Sequence, residues 1–180
     1  MSLAAKAIAA AGLDDVLAAR ERGESVAAHR DQLMSADILV LGALADLVRA
    51  REVGAEVRVT MRRDADCRSA SLVKTPAMPP TDRGLAFLRA VAMARLESAP
   101  ATAIAVDWGD CGFELAQLAL SFGANELLGP PLSRRGLPIA DDQAKKVKGQ
   151  GMVSVAMLKH QELCDLVRRI GRTPVSEVSA

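Results

Sequence analysis

Ala101-Thr102-Ala103-Ile104-Ala105-Val106, set between Pro100 and Asp107, is the stretch that decides the fold. An apolar run of this length, bounded by a proline and a charge, reads as a strand buried on both faces, as in parallel sheets. Helical patterns flank it. Residues 81–97, capped by Thr81 and closed by Pro100, carry Leu85, Leu88, Val91 and Ala92 as an inward stripe. After the strand, Gly112 leads into a helix with Leu115, Leu118, Ala119 and Phe122 at i, i+3, i+4 and i+7, and Gly123 supplies its C′ residue. Residues 56–61 alternate, with Val57, Val59 and Met61 on one side, and read as a half-buried strand; 69–73 and 126–128 are shorter strand candidates. The order predicts an α/β fold with a small, mostly parallel sheet of three to five strands.

The remainder is helical or irregular. Residues 4–11 end at Gly12, 14–22 begin at Asp14 and end at Gly23, and 26–34 open at Ser25. Ser35 is the expected cap of a helix over 37–51, with Val40, Leu44, Leu47 and Val48 inward, ended by Gly54. Residues 62–80 are polar and then Pro-rich. Residues 129–151 form a Pro/Gly-rich loop carrying Arg134, Arg135, Lys145, Lys146 and Lys148 against Asp141 and Asp142. A last helix over 157–170 points Leu163, Leu166, Val167 and Ile170 inward, with Gly171 and Pro174 beyond. One domain is expected over 1–180: N-terminal helices to 54, an α/β core over 55–128, a linker over 129–156, and a C-terminal helix and tail from 157.

Composition narrows the partners. The 180 residues include 23 Lys+Arg and 22 Asp+Glu, for a net charge of +1 and a pI near 7.7. A nucleic-acid-binding domain normally shows a pI above about 9. Aromatic residues make up 2% with no Tyr, which excludes a stacking platform for single strands. No apolar run approaches the roughly 18 residues of a membrane span. Neither nucleic acid nor membrane is an expected partner. Cys67, Cys111 and Cys164 lie far apart, unlike a secreted disulfide framework, and the Ala-rich start reads as a mature cytoplasmic N-terminus.

The densest chemical cluster is Asp107-Trp108-Gly109-Asp110-Cys111-Gly112-Phe113-Glu114. It lies where the buried strand hands over to a helix, the carboxyl edge outside which α/β sheets bind ligands. Asp107, Asp110 and Glu114 can act as acid/base groups or metal ligands. Cys111 near a helix N-terminus can have a lowered pKa and act as a nucleophile. The plainer reading makes Asp110 a helix cap, Cys111 a small packed residue and Trp108 core. Lys145-Lys146-Val147-Lys148-Gly149-Gln150-Gly151 lacks the spacing of a P-loop and reads as solvated surface. His29 and His160, the latter on the polar side of the last helix, show no Cys/His ligand spacing, so no metal site is expected.

Three collinear blocks carry a family resemblance. They are Ala36-Asp37-Ile38-Leu39-Val40-Leu41-Gly42-Ala43-Leu44-Ala45-Asp46 with the strand after it; Leu88-Arg89-Ala90-Val91-Ala92-Met93-Ala94-Arg95-Leu96, the strand to Trp108, and Glu114-Leu115-Ala116-Gln117-Leu118-Ala119-Leu120-Ser121-Phe122-Gly123-Ala124-Asn125-Glu126-Leu127; and a tail from Glu162-Leu163 to Gly171-Arg172-Thr173-Pro174. Together they resemble the radical SAM group of aminofutalosine synthase, dehypoxanthine futalosine cyclase and the deazaflavin-cofactor synthases. The first block is similar to the lead-in to their barrel, the second to the last barrel strands, and the third to the closing helix and turn.

The resemblance implies an incomplete TIM-barrel remnant preceded by N-terminal helices. It also implies that Asn125 and Glu126 face what is the substrate cavity in those enzymes and can contact a polar ligand; the alternative for both is a plain helix exit. Those enzymes hold a [4Fe–4S] cluster on a CxxxCxxC loop. Here the strand runs instead into Arg62-Arg63-Asp64-Ala65-Asp66-Cys67-Arg68-Ser69-Ala70-Ser71. The expectation is a cytoplasmic pseudoenzyme with no cofactor, binding a small molecule or a partner protein, linked by resemblance to menaquinone or deazaflavin metabolism. An exposed sheet section predicts a homodimer or a partner to cover it. The alternatives are a small enzyme of another class using Asp107, Asp110, Cys111 and Glu114, and a structural interaction module.

Overall fold

The computed structural model describes residues 3–61, 72–77, 79–133 and 160–175. Helices α1 (Leu3–Ala10), α2 (Asp14–Glu21), α3 (Arg30–Ser35) and α4 (Ile38–Glu52) precede strand β1 (Glu56–Met61). Strand β2 (Leu72–Val73), helix α5 (Pro80–Glu97), strand β3 (Ala105–Asp107), helices α6 (Trp108–Cys111) and α7 (Phe113–Ala119) and strand β4 (Glu126–Gly129) follow. Helix α8 (His160–Arg169) and strand β5 (Thr173–Val175) end the described chain. No helix among these residues is long and apolar enough to cross a membrane.

The five strands form one sheet in the order β2-β3-β4-β1-β5, and every pairing is parallel. The α/β expectation and the parallel sheet are therefore both observed. Parallel neighbours need a crossover; α5 makes it from β2 to β3, and α6 with α7 from β3 to β4. β5 was expected only as a turn. It pairs with β1 at the sheet's edge, where Pro174, opposite Val57, costs no interior ladder bond.

Because side chains alternate along a strand, the register sorts them onto two faces. Val57, Val59, Leu127 and Val106 share one face. There Val59 and Leu127, with Trp108, Phe113, Leu163 and Val167, enclose an apolar gap against α7 and α8. The opposite face carries Arg58, Thr60, Glu126, Leu128, Ala105 and Asp107. α4 buries Leu41, Leu44, Ala45 and Val48, and its Gly42 lets the Phe122 ring approach to where a Cβ would stand.

Several local expectations change. α4 is capped by Asp37, whose carboxylate accepts from the Leu39 and Val40 amides, so Ser35 is not the cap. α5 begins at Pro80 after Pro79, which places Thr81 inside it. Leu85, Leu118 and Ile170 were expected inward and are 60%, 55% and 48% exposed, Ile170 because α8 has already ended at Arg169. The strand at 101–106 is shorter than its apolar run. Ala101 adopts φ +61°, Thr102 Oγ1 donates to the Ala99 carbonyl, and the turn delays β3 to Ala105. Residues 62–71 and 134–159, with Cys67 and the basic run 145–151, lie outside the described residues.

Candidate functional site

The sequence-predicted residues divide between the two edges of the sheet. Asp107, Trp108, Asp110, Cys111 and Glu114 lie at or beyond the carboxyl end of β3. Asn125 and Glu126 lie at the amino end of β4.

At the carboxyl edge the polar groups are occupied by the backbone. Asp107 Oδ1 accepts from the Gly109 amide at 2.7 Å and so caps α6. Asp110 Oδ2 accepts from the Thr75 amide at 2.8 Å, which ties the chain leaving β2 to the chain leaving β3. Asp110 was read as a helix cap; it caps neither helix, since Asp107, three residues earlier, caps α6, and α7 has Gly112 at its N-cap with no side-chain cap. Trp108 is fully buried and its Nε1 donates to the Pro130 carbonyl at 2.7 Å. The indole lies so close to Gly129 that a Cβ there would come within 2.6 Å of the ring, and Gly129 has φ +154°. Glu114 is exposed in the first turn of α7.

Electrostatics run against covalent chemistry at this edge. Burial, reinforced by the Asp110 carboxylate, pushes the Cys111 thiol up to about 12. The expected lowering by a helix N-terminus is overturned, because α7 starts two residues later and desolvation of the thiolate dominates. At neutral pH the group is a thiol, and thiolate is the nucleophilic form. Asp107 is also raised, first by burial and then by Asp110, against the lowering effect of its bond from Gly109.

At the amino edge Asn125 belongs to a buried clamp that the sequence reading missed. Arg95 has no solvent exposure. Its guanidinium donates to the Gly123 carbonyl (3.0 Å), the Thr102 carbonyl (2.7 Å) and Asn125 Oδ1 (2.8 Å). Asn125 Oδ1 also accepts from the Ile104 amide at 2.8 Å, so one side chain joins the entries of β3 and β4. Burial lowers Arg95 to about 10, partly offset by Glu52 at 3.7 Å. The signal was present in the sequence, since Arg95 stands four residues after Val91 on the inward stripe of α5. Arg49 repeats it on α4, four residues after Ala45, and donates to Asp46 and to the Gly54 carbonyl.

Glu126 follows directly and behaves differently. It is 5% exposed and lines an open cleft with Glu56, Arg58, Ala103, Asn125 and Val175. The cleft's volume, its solvent mouth included, is about 350 Å³. Thr60, on the same face of the sheet, has its hydroxyl buried without a hydrogen-bond partner among the described residues.

His160 is tied in rather than isolated on a polar side: its Nε2 lies 3.0 Å from the Val59 carbonyl. Cys164, four residues on, places its sulfur 3.6 Å from Nδ1 and 4.0 Å from Nε2. The sulfur is within hydrogen-bond reach of the imidazole, and the two side chains stand one helical turn apart on α8. Among the described residues no group of three or more His, Cys, Asp or Glu side chains is gathered to hold a metal ion. No protein-family model, curated protein or solved structure matches this chain.

Proposed function

We propose that the chain is a binding protein built on a shortened barrel of the futalosine and deazaflavin radical SAM type, and that it performs no radical chemistry. The observation that carries this reading is the parallel pairing of β4 with β1. In a closed barrel of eight parallel strands the last strand pairs with the first. The resemblance assigns β1 to the first position and β3 and β4 to the last ones. Removal of the middle strands would leave the order β2-β3-β4-β1.

The sequence after β1 supports the absence of radical chemistry, since residues 62–71 hold Cys67 alone where three thiolates would be needed. Binding is favoured over acid/base or nucleophilic catalysis at the carboxyl edge. Asp107 and Asp110 are engaged by backbone amides there, and the Cys111 thiol is held protonated. A ligand would meet the polar face that carries Glu126, Thr60 and Asp107. Leu39 and Leu85, 72% and 60% exposed on α4 and α5, would give a second copy or a partner protein its apolar contact.

Native mass spectrometry of anaerobically purified protein tests the reading. The expected spectrum shows no iron–sulfur mass and shows either a retained small molecule or a homodimer. A bound [4Fe–4S] cluster, or cleavage of S-adenosylmethionine under reducing conditions, would overturn it.

A further inference from the structure

We propose that Pro174 closes the outer side of β5 against strand addition, so that a second copy of this chain does not extend the sheet there. The inference goes beyond the reading of the chain as a binding protein and stands without it. An open sheet has two outermost strands, and each presents unpaired backbone groups that another chain can take up. Among the described residues those strands are β2, two residues long, and β5, three residues long. In β5, Thr173 and Val175 are exposed and Pro174 is half-buried, so the strand lies at the surface.

The hydrogen bonds fix which way each residue of β5 faces. Backbone groups of successive residues in a strand point to alternate sides. The Thr173 amide donates to the Ala55 carbonyl at 2.9 Å, so Thr173 faces β1. The Arg58 amide donates to the Asn125 carbonyl at 3.0 Å, so Arg58 faces β4, and Val57, next to it, faces β5. The parallel register, with Thr173 beside Glu56, Pro174 beside Val57 and Val175 beside Arg58, agrees with both. Val175 therefore faces β1 as Thr173 does, and Pro174 faces outward. Proline has no N–H. Over its three residues the outer side of β5 offers one carbonyl and no donor. Two copies pairing antiparallel across a two-fold axis, with residue 174 opposite itself, would lack both of the N–H···O bonds that such opposed residues exchange. The same proline leaves the pairing with β1 intact, because the amides that face β1 are those of Thr173 and Val175.

Analytical ultracentrifugation of the full chain over a wide concentration range tests this, with amide hydrogen exchange at residue 174 as the second readout. Pro174→Val restores the missing donor. It should self-associate about thirtyfold more tightly than the wild-type chain, the scale of two net hydrogen bonds. Its new amide at residue 174 should be protected in the associated state. Pro174→Ala restores the same donor with a smaller side chain and should change in the same direction; it carries the test should Pro174→Val fail to fold. Association of the variants no tighter than that of the wild-type chain would overturn the proposal. Tighter association with the new amide left unprotected would also overturn it, since the contact would then lie on another surface.

Discussion

The two edges of the sheet invert what the sequence advertises. The carboxyl edge packs Asp107, Asp110, Cys111 and Glu114 into eight residues, and both aspartates are engaged by backbone amides. The amino edge offers Asn125 and Glu126 after an ordinary helix exit, and there the Asn125 side chain joins Arg95 to the Ile104 amide while Glu126 lines an open cleft. A dense polar run marks a tight turn, because short oxygen-bearing side chains satisfy the amides that a turn exposes. A side chain held by a buried charge on a neighbouring helix marks a joint of the fold, which the local sequence does not announce.

Replacing Arg95 should break the comparison most severely. The guanidinium gathers the Gly123 and Thr102 carbonyls and Asn125 around one buried point. Arg95→Ala should cost about 3–5 kcal/mol, the range for removing one partner from a buried charged network. Urea denaturation measures it. A loss below about 1 kcal/mol would mean that the entries of β3 and β4 are held by their apolar contacts alone.

The legible part of the fold was the part written in periodicity. The alternation of Val57, Val59 and Met61 located β1 to the residue, and the stripe of α4 located that helix to within one residue at either end. The misread parts depend on partners distant in sequence. Nothing local says that the apolar run at 101–106 begins with a turn, because that turn is stabilised by Arg95 taking the Thr102 carbonyl from the neighbouring helix. β5 escaped notice because three residues centred on Pro174 have no strand pattern of their own and depend on pairing with β1. At the candidate site, residue types were legible and their occupancy was not. Whether Asp110 is free or engaged is decided by Thr75, 35 residues earlier in the chain.

A smaller effect sharpens the reading of the carboxyl edge. Asp110→Ala should destabilise by about 1 kcal/mol, the net contribution of one hydrogen bond that an exposed carboxylate accepts from an amide. The loss should appear as faster hydrogen exchange at Thr75 while the core of α4 and α5 stays protected. If exchange at Thr75 is unchanged, the carboxylate is not committed to that amide and is available to a ligand.

The smallest effect separates the two acidic readings by its sign. Burial raises Asp107 above its ordinary value, with Asp110 adding to the shift. The folded state therefore holds this proton more tightly than the unfolded state. The stability linked to it is fully present below the unfolded-state value near 3.8 and is lost as pH rises through the folded-state value. Asp107→Asn removes that dependence and keeps an oxygen that can accept from Gly109. The stability of the native chain relative to this variant should then fall between pH 3 and pH 7, by about 0.5 kcal/mol at this half-buried site. Paired melts in urea across that interval measure it. A difference that rises with pH would require an unseen positive partner for Asp107, and the carboxyl edge would then be a place where a cationic group binds.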